Sequence, residues 1–200
     1  CQYVKLQALN ASSADISSYL SNLEYTILTG GTTGVKAVVI KVETAAGSDP
    51  HTLYVKYISG GTSGQTVFAD DEILTDSTGT YSVKTALTSA TGVGAIATLG
   101  NGIYYINGTF VKVFDSVLVL SKYDSLPSCK VGILWEESIV TSDDDESLLD
   151  NAAGAPNYAA PGAHRYKIST TLSSISLTQT LTNFVELLIV DVGTATLTQV

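Results

Sequence analysis

The 200-residue chain contains no methionine, not even at position 1, and it has only two cysteines, four prolines and one tryptophan. The missing methionine points to a processed product or a piece of something longer. A single pair of cysteines, Cys1 and Cys129, cannot define a disulfide framework, so the expectation is two free thiols with Cys129 partly buried in a strand. Basic residues are scarce: ten Lys and Arg face nineteen Asp and Glu, for a net charge of −9. Capture of a polyanion needs clustered Lys and Arg to release counterions, so nucleic acid is not an expected partner. No run approaches the roughly 20 apolar residues of a membrane helix, and no charged-then-apolar leader precedes the first strand, so membrane insertion is not expected. A cysteine at position 1 is also what an acylated lipoprotein presents, but nothing else in the sequence supports a lipid.

The motifs of common chemistries are equally sparse. A phosphate-binding P-loop needs Gly-Lys followed by Ser or Thr, and the chain has no Gly-Lys pair. No Gly-x-Ser-x-Gly elbow occurs, which leaves a serine hydrolase without its nucleophile turn. His51 and His164 are the only histidines, each near a turn proline and without a second His or Cys at metal-ligand spacing, so packed imidazoles are expected. Gly92-Val-Gly94-Ala-Ile-Ala97 matches the loose dinucleotide fingerprint, but that fingerprint works only where a strand feeds a helix. Gly100-Asn101-Gly102 would end any such helix within a few residues. Asn10-Ala-Ser12 and Asn107-Gly-Thr109 match the glycosylation pattern. No catalytic, cofactor-binding or metal-binding residue is singled out, and the expectation is a protein that is not an enzyme.

What is present favours pleated structure. The chain is 44% hydrophobic and only 14% charged, with Thr, Ser and Gly making up the balance. β-branched and aromatic residues dominate the apolar set. A chain of this length can bury about 70% of its unfolded surface, so it needs no metal or disulfide staple. Tyr3 to Ala8 alternates as a first strand. Ala14 to Leu20 is the best helix candidate, with Ser13 as cap and Ile16, Tyr19 and Leu20 on one face. Tyr25 to Thr29 and Val35 to Glu43 flank the glycine-rich Gly30 to Gly34 as a hairpin, and Leu53 to Ile58 continues it into a meander. Asp70-Asp71-Glu72 comes just after Val67-Phe68. Asp76-Ser-Thr-Gly79 reads as a boundary, after a curled sheet of about five strands. Tyr81 to Leu99 reads as an extended strand followed by a loop. Ile103 to Ile106 and Thr109 to Val113 flank Asn107-Gly108, the dipeptide best able to hold two residues at positive φ, which predicts a two-residue hairpin. Further strands are expected at Val117 to Leu120, Lys130 to Glu136, Arg165 to Thr170 and Phe184 to Asp191, the last as a central or inter-chain strand. Thr170 to Thr182 reads as strand or loop. The fold class is therefore all-β: a small antiparallel barrel or curled sheet over residues 1–79, then a second antiparallel β-rich region over residues 80–200, with only short helical turns.

The most distinctive stretch runs from Ser138 to Ile168. Four acids, Asp143 to Glu146, lead into Leu148-Leu149, an Asn-Ala-Ala-Gly turn and Pro156, then Asn157-Tyr158 and Pro161-Gly162 before Arg165-Tyr-Lys-Ile168. This is a shaped connection rather than a solvated linker. The acids are expected to cap a short helical turn through Ser147 to Asn151, where negative charge is favourable. Calcium is the alternative, although the EF-hand ligand order and its glycine are absent.

The runs Ser147-Leu-Leu-Asp-Asn-Ala152, Asn157-Tyr-Ala-Ala-Pro-Gly-Ala163 and Arg165 to Ile168, together with Gly102 to Val113, resemble a family of uncharacterised domains in virion proteins of tailed bacteriophages. These occur in tail fibre and baseplate components, and the resemblance covers roughly residues 25 to 175. It brings no catalytic residues. It implies a structural virion protein that works by subunit packing, in a symmetric homo-oligomer with a trimer favoured, alongside other phage tail or baseplate proteins. Tyr104, Tyr105, Tyr158 and Tyr166 fall in the resembling segments and suit either a core or a contact surface. Two other classes stay open: a host-adhesion module binding a host-surface glycan, for which Trp135 looks too deep in a strand, and a secreted microbial surface or filament protein.

Overall fold

The computed structural model describes residues 1–198, which form two compact units. The first takes in Cys1–Thr98, Val117–Pro127 and Asp191–Thr194, and the second takes in Leu99–Ser116, Ser128–Val190 and the residues from Ala195 on. The fold is all-β, with a curled antiparallel half-barrel sheet followed by another antiparallel sheet. No helix among the described residues is long and apolar enough to cross a membrane.

The first unit is built on seven strands: β1 (Gln2–Lys5), β2 (Ile27–Gly30), β3 (Lys36–Glu43), β4 (Thr52–Ser59), β5 (Ile73–Asp76), β6 (Ser82–Lys84) and β7 (Thr91–Val93). They pair in the order β6-β5-β2-β3-β4-β1-β7. The expected hairpin and meander are present as β2, β3 and β4, and the roughly five strands expected over residues 1–79 are β1 to β5; β6 and β7, from beyond that stretch, extend the sheet to seven. Alternation sends Val4, Leu28, Ala37, Val39, Leu53, Val55, Leu74 and Val83 into one core. Leu6, Ile16, Leu20, Leu23, Val35 and Phe68 close it from loops and turns. Register shifts between Lys36 and Ala37 and between Val39 and Lys41 add a bend to β3, which is how a flat ladder acquires its curl.

Two expectations for this region are corrected. The helix expected over Ala14 to Leu20 is a series of turns leading to a single 3-10 turn at Leu20–Leu23. Ser13 sits at φ 60° instead of capping a helix. The Asn10 side-chain oxygen accepts from the backbone N–H of Ser12 and Ala14, and that of Asp15 accepts from Ser17. Short polar side chains therefore outcompete the helical backbone, while Ile16 and Leu20 still reach the core. Asp76-Ser-Thr-Gly79 is a hairpin turn between β5 and β6 rather than a boundary: Gly79 donates to the Asp76 carbonyl and Tyr81 to its carboxylate. The same Asp/Ser/Gly chemistry serves a tight turn or a linker, and only strand pairing tells them apart.

Beyond β7, β8 (Ala95–Leu99) pairs with β11 (Ser116–Ser121). Residues 81–99, expected as one strand and a loop, thus hold three short strands. In the second unit, β9 (Gly102–Ile106) and β10 (Thr109–Val113) form the expected hairpin, with Asn107 at φ 45° and Gly108 at φ 83°. A four-stranded sheet runs in the order β13-β12-β14-β15, from β12 (Cys129–Val140), β13 (Arg165–Ile175), β14 (Phe184–Asp191) and β15 (Thr194–Leu197). The apolar run of β14 is an inner strand of this sheet. β12 and β13 make a ribbon with unbroken register from Lys130↔Ile175 to Val140↔Arg165. Ile106, Val111 and Val113 from the hairpin pack with Ile133, and Tyr104, Trp135, Ile168, Val185 and Leu187 half-bury around them.

The connection between β12 and β13 is folded upon itself, as its composition suggested. Leu149 bridges Pro161, Asp150 donates its N–H to the Ala160 carbonyl, and Gly162 donates to that of Leu148. A 3-10 turn at Glu146–Leu148 is capped by the Asp145 carboxylate, which accepts from the Ser147 N–H. The helical turn is shorter than the expected Ser147 to Asn151.

Candidate functional site

The β9–β10 hairpin is apolar on both faces. Its inner face supplies Tyr104, Ile106, Val111 and Val113 to the core of the second unit. Its outer face carries Ile103, Tyr105 and Phe110, which are 73%, 66% and 76% exposed, and Phe114 just beyond it is 66% exposed. Tyr105 and Phe110 are directly opposed across the strands, with their rings edge to face and their centres 5.3 Å apart, an attractive arrangement for aromatic quadrupoles. Lys112, opposite Ile103, lies 4.9 Å from the Phe114 ring centre and supplies the charge on this outer face. Strands of a half-buried sheet usually alternate apolar and polar, so an outer row of this kind marks surface suited to a contact.

The tip of the hairpin is held to the ribbon by a polar clasp. Asn107 donates its side-chain amide to Glu137 at 2.5 Å, and the Tyr166 phenol lies beside the same carboxylate. These two groups, Tyr166 first, hold the Glu137 carboxyl below its ordinary range, while Glu137 in turn pushes the Tyr166 phenol up. Past the clasp, Ile139 and Tyr166 are paired across β12 and β13 and are 56% and 54% exposed. Phe110, Lys112, Tyr166 and Ile168 line an open depression of about 310 Å³, which continues the apolar surface from hairpin to ribbon.

The residues weighed for chemistry go elsewhere. Asp144 accepts from the N–H and hydroxyl of Thr141, and Asp145 accepts from Ser147; hydrogen bonds from these backbone groups, and for Asp145 first from the Ser147 hydroxyl, keep both carboxyls below their ordinary range. Among the described residues, no three His, Cys, Asp or Glu side chains converge as metal ligands. His51 is buried, with Nδ1 accepting from the Ala45 N–H and Nε2 3.4 Å from the Ser17 hydroxyl, whereas His164 is exposed. Ser17 donates to Asp15, so this chain of groups stitches loops together and leaves Ser17 without a free basic partner. Gly92 lies in β7 and Ala95 to Ala97 in β8, so the Gly92 to Ala97 fingerprint is strand on both sides and offers no helix N-terminus to a pyrophosphate. Cys1 is an exposed free thiol, and burial pushes the half-buried Cys129 thiol up. Trp135 is half-buried against the second core, and Tyr158 is 62% exposed. A further depression of about 460 Å³, in the first unit, is lined by Cys1, Gln2, Ile40, Val55, Lys56, Tyr57 and Val93, with neither carboxylate nor imidazole.

Glu72 is the group the sequence did not single out. It is 2% exposed, yet both its oxygens are satisfied: Oε1 accepts from the N–H of Thr32 at 2.8 Å and of Thr33 at 2.5 Å, and Oε2 from that of Ala69 at 2.9 Å. The Thr33 hydroxyl adds a bond. Gly30 makes this possible, because a Cβ there would lie 2.5 Å from Oε1. The glycine-rich turn is thus an anion cradle filled by the chain's own carboxylate. Its partners Thr33 and Thr32 lie 39 and 40 residues away, beyond the reach of a local pattern.

Residues 68–194 match the family described as Domain of unknown function (DUF4815). The chain belongs to this family. The DUF4815 segment begins at Phe68, shortly before Glu72, and takes in the hairpin, the folded connection and the long ribbon, so the whole apolar surface lies within it. The family description assigns no activity, ligand or partner. No curated protein matches the chain, and no solved structure does.

Proposed function

We propose that this DUF4815 protein is a structural assembly module of a tailed-phage particle, in a tail fibre or the baseplate, working through self-association and packing against other tail proteins. The observation that carries the reading is the exposed row Ile103, Tyr105, Phe110 and Phe114. At about 150–250 Å² for each aromatic side chain, it leaves on the order of 500 Å² of apolar surface in water. At about 25 cal/mol per Å², covering it is worth roughly 10 kcal/mol, the same order as the cost of bringing two molecules together. A partner surface of about 800 Å² per side would enclose the row and a polar rim. With a net charge of −9, copies repel over most of their surface, and the outer face of the hairpin, which carries Lys112 and no acid, is a place where they can meet.

Replacing Tyr105 and Phe110 together by Ser tests this reading. The wild-type chain is expected to self-associate in gel filtration with light scattering, and the double variant to shift toward monomer with an unchanged melting temperature. A wild-type chain that stays monomeric at every concentration would overturn the reading. A second reading, a host-glycan-binding module, is favoured by the aromatic pair Phe110 and Tyr166 around the open depression. Saccharide binding on a glycan array, lost on Phe110→Ser, would select it.

A further inference from the structure

The ribbon strand β13 ends its sheet, pairing among the described residues with β12 on one side only. Eleven consecutive pairs join the two strands without a bulge. The strand reads Arg-Tyr-Lys-Ile-Ser-Thr-Thr-Leu-Ser-Ser-Ile, with no proline, no glycine and no acid. Edge strands of this length are normally blunted by proline, bulges or inward charges, because their unpaired N–H and C=O groups are a template for another strand. Only Arg165 and Lys167, both at one end, serve that purpose here.

The direction of those edge groups can be read from the neighbouring strand. Trp135 donates its N–H to the Asn183 carbonyl at 3.0 Å and accepts from the Asn183 side-chain amide at 3.0 Å. Both backbone groups of Trp135 therefore turn away from β13. Thr170, directly opposite Trp135, then belongs to a pair that exchanges no bonds, so its own N–H and C=O turn outward. Alternation along the unbroken register extends this to Tyr166, Ile168, Leu172 and Ser174.

We infer that β13 pairs antiparallel with β13 of a second copy about a two-fold axis at Thr170, joining two four-stranded sheets edge to edge. The inference rests on the self-assembly reading and specifies how it begins. In this register Tyr166 meets Ser174 of the other copy, Ile168 meets Leu172, and Thr170 meets itself. All five outward-facing residues become hydrogen-bonded pairs, giving about ten bonds, the number of a standard interface. Arg165 and Lys167 meet Ile175 and Ser173, so like charges stay at opposite ends, whereas a parallel in-register pairing would stack Arg on Arg. The apolar face stays continuous, because even-numbered residues meet even-numbered ones and share the side that carries Ile168 and the exposed Tyr166.

Sedimentation velocity on the full chain tests the pairing, with Thr170→Pro as the decisive variant. The Thr170 N–H makes no bond within its own sheet, so proline there leaves the fold in place and removes two symmetric intermolecular bonds, weakening association about a hundredfold. The expected result is a wild-type dimer and a Thr170→Pro monomer with an unchanged melting temperature. Should that variant fail to fold, Thr170→Cys in a Cys1→Ser, Cys129→Ser background decides: the pairing requires a disulfide-linked dimer under mild oxidation, and no cross-link overturns it. A trimeric wild type, or association unaffected by Thr170→Pro but lost in the Tyr105, Phe110 double variant, overturns the strand pairing and leaves the assembly reading standing. A monomeric wild type overturns both.

Discussion

The two units solve the same problem with different means. The first gathers fourteen buried apolar residues from six of its seven strands and their loops, and ties its turns to a buried carboxylate whose two oxygens are both satisfied. The second has four buried residues in its described cluster and exposes Ile103, Tyr105, Phe110 and Phe114 on the hairpin, with Ile139 and Tyr166 on the ribbon. A sheet curled on itself covers its own apolar face, whereas a long ribbon packed against one hairpin leaves the outer face of the hairpin and the overhang of the ribbon in water. Sheets with uncovered apolar faces and free edges are surfaces prepared for another chain. The difference teaches that the large buried core and the uncovered apolar surface lie in separate parts of this molecule.

The sharpest way to break that contrast is Glu72→Ala. It leaves the N–H groups of Thr32, Thr33 and Ala69 without their acceptor, and the loss is expected to be roughly 3–5 kcal/mol by chemical denaturation, with amide exchange quickening at 30–34. A loss below about 1 kcal/mol would show that the cradle is incidental. Truncation of the exposed hairpin row is expected to stay within about 0.5 kcal/mol, since surface substitutions away from special features rarely exceed it.

An effect of opposite sign is expected at Val192. This β-branched residue is held at φ 45° with its side chain 61% exposed, beside Gly193 at φ 74° in the turn between β14 and β15. Two positive φ values are the demand that Asn-Gly meets at 107–108, so Val192→Asn is expected to stabilise by about 1 kcal/mol. An unchanged or lower melting temperature would contradict it.

The smallest effect is pH dependence of the hairpin clasp. The folded-state value of Glu137 lies below its unfolded value, so its contribution is present above the unfolded value near 4.5 and is lost as pH falls through the folded one. Between pH 7 and about 5 the clasp is expected to be intact, and below about 4.5 the Asn107 amide resonance should move progressively. Glu137→Gln should abolish that movement; a resonance that still titrates in this variant would place the proton elsewhere.

Legibility tracks distance along the chain. The Asn107-Gly108 hairpin is readable because two adjacent residues settle it, and most strand positions are readable because alternation is local. The Ala14 to Leu20 segment misleads because its apolar spacing suits a helix while Asn10 and Asp15 draw the backbone into turns. Asp76 to Gly79 misleads because the same residues can precede a linker or a returning strand. For the candidate surface, the apolar residues on both faces of β9 and β10 are visible in the sequence, but which row is covered depends on Ile133 and Trp135, twenty or more residues away.

By itself the sequence determined the β class, the hairpin and the folded connection, because steric preferences and turn chemistry act over a few residues. It also determined the acidic balance and the lack of familiar catalytic motifs. Only the tertiary structure decided that Glu72 fills a glycine cradle, that the outer hairpin row faces water, and that β13 ends its sheet among the described residues, with Thr170 turned outward. Those are matters of which strand lies beside which, and pairing between distant segments has no signature in any short stretch of residues.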